Sequence, residues 1–188
     1  MISLPPPATA FALALACSAC GKPPIEPRYA ANVGRPATIT VTSRAFTDGS
    51  RIPVDHTCDG DDAMPELVLS SPPENTKSLV IYAEDPDVPA ATFTHMIAFN
   101  LSPDLRRLPP APDLTAGGEA ARFGINDFGA TRYRGPCPPK GENHRYRFRV
   151  YALDVMLNLN EGATRSQLDE AMDGHILGDG SLVGHFGH

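Results

Sequence analysis

The sequence predicts a predominantly β domain with peripheral helices. Its 20 prolines and 16 glycines among 188 residues favour short strands joined by turns over long helices. Segments with the composition of strands come first along the chain, and the one convincing helical pattern comes late. This order is typical of a sheet-based domain with helices at its edge, and the length is sufficient for one sizeable core.

The charge pattern excludes one class of partner. The net charge is −6 at pH 7, and no block rich in lysine or arginine occurs anywhere in the chain. Binding of nucleic acid through a basic surface is therefore not expected. The apolar share of 41% and the charged share of 20% are those of an ordinary globular domain.

The N-terminal region has the character of an export signal. An apolar stretch of the size of a signal-peptide core runs over residues 8–20 and ends in small residues and cysteines. It predicts an exported protein that is periplasmic or lipid-anchored. The predicted division of the chain is a leader at 1–20, a polar, proline-containing linker at 21–36 and a single domain at 37–188.

The four cysteines fit this prediction. Cys17 or Cys20 is a candidate for lipidation, as in bacterial lipoproteins, which would attach the protein to a membrane. The alternative is that residues 1–36 form a disordered or loosely attached tail. Without the leader, Cys58 and Cys137 remain, and in an oxidising compartment they could pair if their Cα atoms come close together.

Five segments have the composition of strands, separated by stretches rich in turn residues. They are 38–43, 67–69, 78–84, 93–101 and 145–153. The nearly continuous apolar run at 78–84 is expected at the centre of the sheet. The last segment alternates, with Tyr146, Phe148, Val150 and Ala152 on one face and Arg145, Arg147 and Arg149 on the other. Residues 102–135 are expected to be mostly irregular.

One helix is predicted to close the chain. Thr164 and Gln167 form a capping box, which marks a helix start. Apolar residues then recur at helical spacing, and a glycine suits the stop. These residues are Leu168, Ala171, Met172, Ile176 and Gly178.

Polar side chains occur near the ends of several predicted strands. Asp85 and Asp87 directly follow the strand at 78–84, although the bland alternative is an Asx-turn that ends the strand. His95 lies within an apolar strand, on one face with Phe93, Ile97 and Phe99, where a lone histidine is more often a core residue. If the strands 78–84, 93–101 and 145–153 are neighbours, Asp85, His95, His144 and Tyr146 converge at one rim.

A rigid loop precedes the last predicted strand. Its residues Gly135, Pro136, Cys137, Pro138 and Pro139 cannot form a helix or a central strand. A stiff loop that leads polar side chains onto a sheet is typical of a preformed site for an anion or small ligand. The alternative is a proline-rich turn without a function.

Several motifs, in order, resemble the phosphatidylethanolamine-binding protein family, and specifically its bacterial branch of Raf kinase inhibitor-like proteins. The two most specific are Asp85-Pro86-Asp87-x-Pro89 and Gly135-Pro136-Cys137-Pro138-Pro139-x-Gly141-x-x-His144-Arg145-Tyr146. Further matching segments are 43–53, 57–60, 76–79, 95–100, 126–129, 151–154 and 171–177. The resemblance implies a large antiparallel sheet packed on a smaller one, with peripheral helices.

The resemblance also implies a small pocket for phosphate, a phospholipid head group or a similar anion. By matching position, its ligand-binding residues would be Asp85, Asp87, His95, Gly135, Pro136, Cys137, Pro138, His144 and Tyr146. Asp85 is expected to hold a histidine or backbone amides, since it would repel an anion that it faced directly.

Three functional hypotheses follow. The first is a non-enzymatic protein that binds a small anionic ligand or a phospholipid head group, without a metal or cofactor. The second is a hydrolase or lyase in which His95 or His144 acts with Asp85 as acid and base. The third is a protein-interaction module with a vestigial pocket, which could use the basic stripe on the strand at 145–153. A homodimer is a further option for any of them.

Overall fold

A computed structural model describes residues 28–30, 36–110 and 117–188 of the chain. Within these ranges the chain forms ten strands and one α-helix, α1 (Arg165–Met172), besides a 3-10 turn at Val54–His56. The strands are β1 (Ala37–Thr38), β2 (Val41–Thr42), β3 (Ser50–Arg51), β4 (Leu67–Leu69), β5 (Ser78–Asp85), β6 (Phe93–Leu101), β7 (Arg107–Leu108), β8 (Arg122–Phe123), β9 (Asn143–Leu153) and β10 (Ile176–Gly187). The predicted leader at 1–20, with Cys17 and Cys20, lies outside the described residues.

Two sheets form the domain, as expected. The larger has the strand order β1-β10-β9-β5-β6-β8, and β3 also pairs with β10. Its four long strands are antiparallel to their neighbours, whereas β1 and β3 run parallel to β10. The smaller sheet has the order β2-β4-β7. The predicted fold class, a large antiparallel sheet on a smaller one with a helix near the C-terminus, is confirmed.

Each face of the larger sheet buries its own apolar cluster. One cluster lies between the two sheets and includes Leu67 of the smaller sheet and Ile81 and Phe148 of the larger. The other lies on the opposite face, where Leu168 and Met172 of α1 pack on the sheet. Since successive side chains of a strand point to opposite faces, a strand buried on both faces is apolar throughout. β5 has that character over residues 79–83, and all eight of its residues are buried, including the polar Ser78, Glu84 and Asp85 at its ends.

The alternation predicted for β9 is present, but its basic face is not free. Tyr146, Phe148, Val150 and Ala152 are buried in the cluster between the sheets. The three arginines of the other face are each bound to a carboxylate. The pairs are Arg145 with Asp87, Arg147 with Glu84, and Arg149 with Asp179. The stripe is therefore largely neutralised.

The helix begins as predicted but ends early. Gln167 N donates to Thr164 Oγ1 over 3.3 Å, and Thr164 N donates to Gln167 Oε1 over 2.9 Å, which completes the capping box. α1 ends at Met172 because Gly174 takes up φ +78°, a left-handed conformation that glycine favours. The prediction that the helix extends to Ile176 and closes the chain is wrong.

The last element is instead the 12-residue strand β10. Its glycines made it unlike a strand in sequence, but close contacts with other segments explain two of them. A Cβ at Gly180 would lie 1.7 Å from the carbonyl oxygen of Ile39, and one at Gly178 would lie 2.4 Å from that of Ala37. Only glycine allows the N-terminal strand to approach this closely.

The predicted strand at 38–43 is two strands in different sheets. β1 pairs with β10 in the larger sheet, whereas β2 pairs with β4 in the smaller. Between them Ile39 is buried in the cluster between the sheets. The composition of this segment thus correctly predicted extended structure. The pairing with β10 and with β4 decides which sheet each of the two strands joins.

Part of the predicted linker contacts the domain. Tyr29 forms a bridge with Ile176, and Ala30 N donates to the Ile176 carbonyl over 2.9 Å. Arg28 forms an ion pair with Asp173 at the end of α1. None of the helical segments in the described ranges has the length and hydropathy that a membrane crossing needs.

Candidate ligand-binding site

Three neighbouring strands bring the predicted polar residues to one edge of the larger sheet. β5 lies between β6 and β9 and is antiparallel to both. The end of β5, at Asp85, therefore lies beside the beginnings of β6 and β9. His95 follows the start of β6 closely, and His144 and Tyr146 follow the start of β9.

A cavity of about 200 Å³ lies at this edge. Its walls combine buried polar side chains with aromatic rings and the proline-rich loop. The lining residues are Asp85, Val88, Phe93, His95, Phe128, Cys137, Pro138, Pro139, His144 and Tyr146. Such a mixture of apolar surface and a few converging polar groups is typical of a site for a small ligand.

A β-bulge turns His95 toward the cavity. Ala83 pairs with Met96 and Glu84 pairs with Thr94, so His95 is an extra residue on β6. The expectation that His95 shares a face with Ile97 and Phe99 is therefore wrong. Those two residues pack on the side of the sheet that α1 covers, whereas His95 lies 5.3 Å from the Tyr146 ring, centroid to centroid.

The His144 imidazole lies between two carboxylates. Its Nδ1 is 2.7 Å from Asp85 Oδ2, and its Nε2 is 2.9 Å from Glu142 Oε2. Burial disfavours the charged ring, but the two carboxylates outweigh burial and raise the pKa of His144. Donation to both carboxylates requires a proton on each ring nitrogen, so His144 is an imidazolium in this arrangement.

Asp85 forms two hydrogen bonds, and His144 is its one ion-pair partner in the described ranges. Its Oδ1 accepts the backbone N–H of Asp87 over 2.8 Å, and its Oδ2 accepts from His144. The side chain of Asp85 is 4% exposed. Asp85 thus holds a histidine and a backbone amide, the role expected for a carboxylate beside an anion site.

The His95 imidazole is neutral, in contrast to that of His144. Its Nδ1 lies 2.7 Å from the Arg134 carbonyl oxygen, and because a carbonyl only accepts, the proton of the neutral ring is on Nδ1. Burial lowers the pKa of His95, which keeps the ring neutral near pH 7. Its Nε2 is consequently a hydrogen-bond acceptor.

Tyr146 carries the one buried side-chain polar atom without a hydrogen-bond partner in the described part of the chain. The residue is 3% exposed and lines the cavity. Burial, followed by the negative charge of Asp85, raises the pKa of Tyr146, so the phenol keeps its proton near neutral pH. The Asp85 carboxylate lies close enough to act as a side-chain acceptor in raising this pKa, but the hydroxyl forms no hydrogen bond of normal length and angle with a described residue, which is rare for a buried group.

The proline-rich loop is fastened to the segment before β4. A disulfide joins Cys58 to Cys137, whose Cα atoms are 5.4 Å apart. The backbone N–H of Cys58 donates to the Pro136 carbonyl over 3.0 Å, and that of Gly135 donates to Asp62 Oδ1 over 2.5 Å. The loop is thus held on its outer side while Pro138 and Pro139 face the cavity.

A second loop forms the aromatic part of the rim. Asn126 is buried, and its Oδ1 accepts the N–H groups of Phe128 and Ala130. Its Nδ2 donates to the His95 carbonyl over 3.0 Å, which ties the loop to β6. The Phe128 ring, 43% exposed, lies 4.9 Å from the Phe93 ring, centroid to centroid.

A larger cavity of about 260 Å³ lies elsewhere, beside Asp62, Met64, Leu108 and Tyr133. The Tyr133 hydroxyl donates to the His56 carbonyl, and Asp62 is bound to Arg134 and Gly135. The Tyr133 hydroxyl and the Asp62 carboxylate therefore have partners of their own. We place the candidate site at the smaller cavity, where the Tyr146 hydroxyl has none.

Comparison with known proteins agrees with this architecture. The sequence pattern described as phosphatidylethanolamine-binding protein matches residues 42–187. The chain belongs to the phosphatidylethanolamine-binding protein family. A UPF0098 protein of Methanothermobacter thermautotrophicus is 43% identical over 147 residues, which are 78% of this chain and 97% of the relative. A UPF0098 protein of Chlamydia trachomatis is 42% identical over 151 residues, again 78% and 97%.

Solved structures of the family have the same fold. The phosphatidylethanolamine-binding protein homolog CT736 of Chlamydia trachomatis superposes with a TM-score of 0.74 at 40% identity, over 80% of this chain and 98% of that one. YbcL of E. coli, described as a member of the mammalian PEBP family, also gives 0.74, at 28% identity, over 81% and 99%.

Three of the residues predicted to bind the ligand, namely Asp87, Gly135 and Pro136, do not line the cavity. Asp87 is bound to Arg145, whose backbone N–H and Nε lie 2.7 and 3.0 Å from its Oδ2, and these hydrogen bonds lower its pKa to about 2. Gly135 and Pro136 face the segment before β4, and a Cβ at Gly135 would lie 2.5 Å from the His56 carbonyl oxygen. The other predicted residues, Asp85, His95, Cys137, Pro138, His144 and Tyr146, do line it.

Sequence reasoning missed several residues of the site. Val88, Phe93 and Phe128 line the cavity without having been named as ligand-binding residues, whereas Pro139 belongs to the loop that was expected there. Glu142 was also missed, although its spacing of two from His144 was a usable signal, since residues i and i+2 of an extended chain share a face.

The polar residues that line the cavity do not form a group of three potential metal ligands within the described ranges. In the described ranges, Cys58, Cys137 and His188 are the one group of three potential ligand residues close enough to share an ion. Both sulfurs of that group are joined in the disulfide, so they are not thiolate ligands.

Proposed function

We propose that this member of the phosphatidylethanolamine-binding protein family is a non-enzymatic binding protein for a small phosphate-containing ligand, either free phosphate or a phosphorylated head group. The observation that carries this proposal is the buried Tyr146 hydroxyl, which has no partner in the described part of the chain and lines a cavity with two histidines. A ligand oxygen at this position would satisfy the hydroxyl.

The two histidines supply complementary chemistry. The His144 imidazolium is a charged donor whose Nε2–H is bound to the exposed carboxylate of Glu142, and charged donors make the stronger hydrogen bonds to phosphate oxygens. Neutral His95 offers an acceptor at Nε2, which suits an anion that still carries a proton. A singly protonated phosphate, or the monoanion of a phosphate monoester, presents both oxygens and a proton. The rings of Phe93 and Phe128 would contact the organic part of an esterified ligand.

The hydrolase or lyase hypothesis is less well supported. An imidazolium between two carboxylates is a poor general base, because its proton is stabilised from both sides. The lining residues include no serine, threonine or lysine, and the sulfur of Cys137 is in a disulfide. The cavity thus lacks a free base at His144 and a serine, threonine, lysine or free cysteine nucleophile, and neutral His95 is the base on which the enzyme hypothesis would have to rely.

The remaining hypotheses differ in their support. The protein-interaction hypothesis loses support because the arginines of the basic stripe on β9 are bound to carboxylates. A kinase-inhibitor role, suggested only by the name of the bacterial branch, is not part of the proposal. Export is part of it, because the Cys58–Cys137 disulfide suits an oxidising compartment. Lipidation of Cys17 or Cys20 would then anchor the protein, and cell fractionation with mass spectrometry of the mature N-terminus tests this.

The test of the ligand is calorimetric titration with inorganic phosphate and with phosphoethanolamine. We expect saturable binding that is weakened roughly tenfold or more in Tyr146→Phe, which removes one hydrogen bond to a charged group. Tyr151→Phe is the matched control, since Tyr151 is on the same strand but belongs to the cluster on the opposite face. Wild-type protein that binds neither probe, or equal binding by Tyr146→Phe, would contradict the proposal.

A further inference from the structure

Glu142 is placed where a ligand of the cavity would compete with it. It directly precedes β9, in which His144 is the second residue, so the two side chains lie on one face of the extended chain. Its backbone N–H donates to the Pro139 carbonyl over 3.0 Å, which fixes the turn beside the proline-rich loop. Its carboxylate then reaches His144 Nε2 over 2.9 Å.

The two carboxylates on His144 differ in how firmly they are held. The Asp85 side chain is 4% exposed and is also bound to a backbone amide. The Glu142 side chain is 56% exposed, and His144 is its one side-chain partner in the described part of the chain. An ion pair whose carboxylate is mostly in water contributes little to stability, so Glu142 can leave while Asp85 stays.

We propose that Glu142 is an internal competitor for the cavity: its carboxylate occupies the Nε2 donor of His144 in the free protein, and an anionic ligand must displace it. This inference rests on the proposed function. It assigns to an exposed acidic residue at the rim a role in deciding which anions bind.

The consequence is a threshold for affinity. A ligand carboxylate or phosphate that binds His144 Nε2 replaces the hydrogen bond from Nε2 to Glu142, which is of the same kind. Glu142 is also part of the chain, so it is always present at a high effective concentration. Replacing Glu142 by a ligand oxygen therefore contributes little binding free energy by itself. A ligand needs additional contacts, such as one to the Tyr146 hydroxyl, to bind well. A phosphoryl group has enough oxygens to make both contacts, whereas a ligand that makes only the first is disfavoured.

The experiment compares phosphate binding by wild-type protein, Glu142→Ala and Glu170→Ala in calorimetric titrations at one ionic strength. Glu170 is an exposed residue of α1, on the opposite face of the larger sheet, so its removal changes the net charge equally without touching the cavity. We expect Glu142→Ala to bind phosphate about three- to tenfold more tightly, as the loss of a partly exposed ion pair implies. Glu170→Ala should remain within about twofold of wild type, because exposed charges are screened.

A second measurement tests the contact without a ligand. In an NMR titration, the pKa of His144 should fall in Glu142→Ala and stay unchanged in Glu170→Ala, since Glu142 is one of the two carboxylates that raise it. An unchanged His144 pKa in Glu142→Ala would overturn the proposal.

The binding outcomes separate this proposal from the proposed function. Tighter binding by Glu142→Ala alone supports the competitor role. Wild-type binding with no gain in Glu142→Ala overturns that role and leaves the phosphate site standing. If neither protein binds phosphate, both proposals are overturned.

Discussion

Two adjacent carboxylates at the end of β5 belong to networks of different kinds. Glu84 points to the face that α1 covers, where its side chain is fully buried and bound to Arg147 and Arg165. Asp85 points to the cavity, where its main partner is His144, which in turn has an exposed, displaceable partner in Glu142. Both groups are buried, yet only the second region contains an unpaired donor among the described residues.

The difference shows how a structural network and a binding site can be told apart. Arg147 Nε and Arg165 Nη1 lie 2.6 and 2.7 Å from the two oxygens of Glu84, and both arginines remain charged at any ordinary pH. That network is complete by itself. The Asp85–His144 network contains a titratable ring and borders an unsatisfied hydroxyl, so it is complete only with a ligand.

The largest expected effect concerns what holds the cavity region in shape. Replacing both Cys58 and Cys137 by serine should lower the free energy of unfolding by about 4 kcal/mol, because the disulfide closes a loop with a sequence separation of 79 residues. Urea unfolding under non-oxidising conditions checks this. Anion affinity should fall as well, since the proline-rich loop loses an anchor.

Wild-type protein treated with a reductant is the control for this double variant and should behave like it. If the variant loses stability but binds phosphate as wild type does, the hydrogen bonds of Cys58 and Gly135 alone are sufficient to hold the loop.

The next effect concerns the Glu84 network. Glu84→Ala leaves Arg147 and Arg165 without a shared carboxylate, and the free energy of unfolding should fall by about 3 kcal/mol. The folded variant should bind phosphate with wild-type affinity, because Glu84 faces away from the cavity. Urea unfolding and calorimetry of the same preparation separate the two quantities.

Glu170→Ala serves as the control of an exposed acidic residue, with an expected change within about 0.5 kcal/mol. A loss of phosphate affinity in folded Glu84→Ala would contradict the distinction between the two networks.

The smallest effect on stability is the pH dependence that His144 gives the cavity region near neutrality. The folded-state pKa of His144 is raised above 6.5, so its contribution is fully present below pH 6.5 and is lost as the pH rises through the folded-state pKa. Phosphate affinity should decline over the same interval, because the charged donor disappears.

NMR titration of the two imidazoles checks the sign. His144 should titrate above the ordinary histidine pKa of 6.5, and His95 below it. A His144 pKa at or below that of His95 would contradict the ion pairs described for the cavity. Asp87, which is bound to Arg145, titrates well below this pH range, since its pKa is lowered to about 2.

Much of the fold followed from local pattern. The bounds of β6 were predicted residue for residue, and those of β5 and β9 to within two residues, because their apolar runs or alternation are properties of consecutive residues. The capping box of α1 was equally local. β10 was missed because its glycines serve contacts with Ala37 and Ile39, which lie far away in the sequence.

The same division holds for the candidate site. The motifs around Asp85 and His144, together with the order of the strands, brought the polar residues to one rim. The bulge that turns His95 and the ion pair that removes Asp87 depend on pairing between strands. Neither is encoded in the spacing of residues along one segment.

By itself, therefore, the sequence determined that β5, β6 and β9 are strands, which face of β9 is apolar and which loop is rigid, since these depend on neighbouring residues. The tertiary structure alone decided that Glu84 is satisfied by two arginines, that His144 lies between Asp85 and Glu142, and that the Tyr146 hydroxyl is buried without a partner. The physical reason is that hydrogen-bond satisfaction and pKa are set by groups distant in sequence that packing brings within about 3 Å.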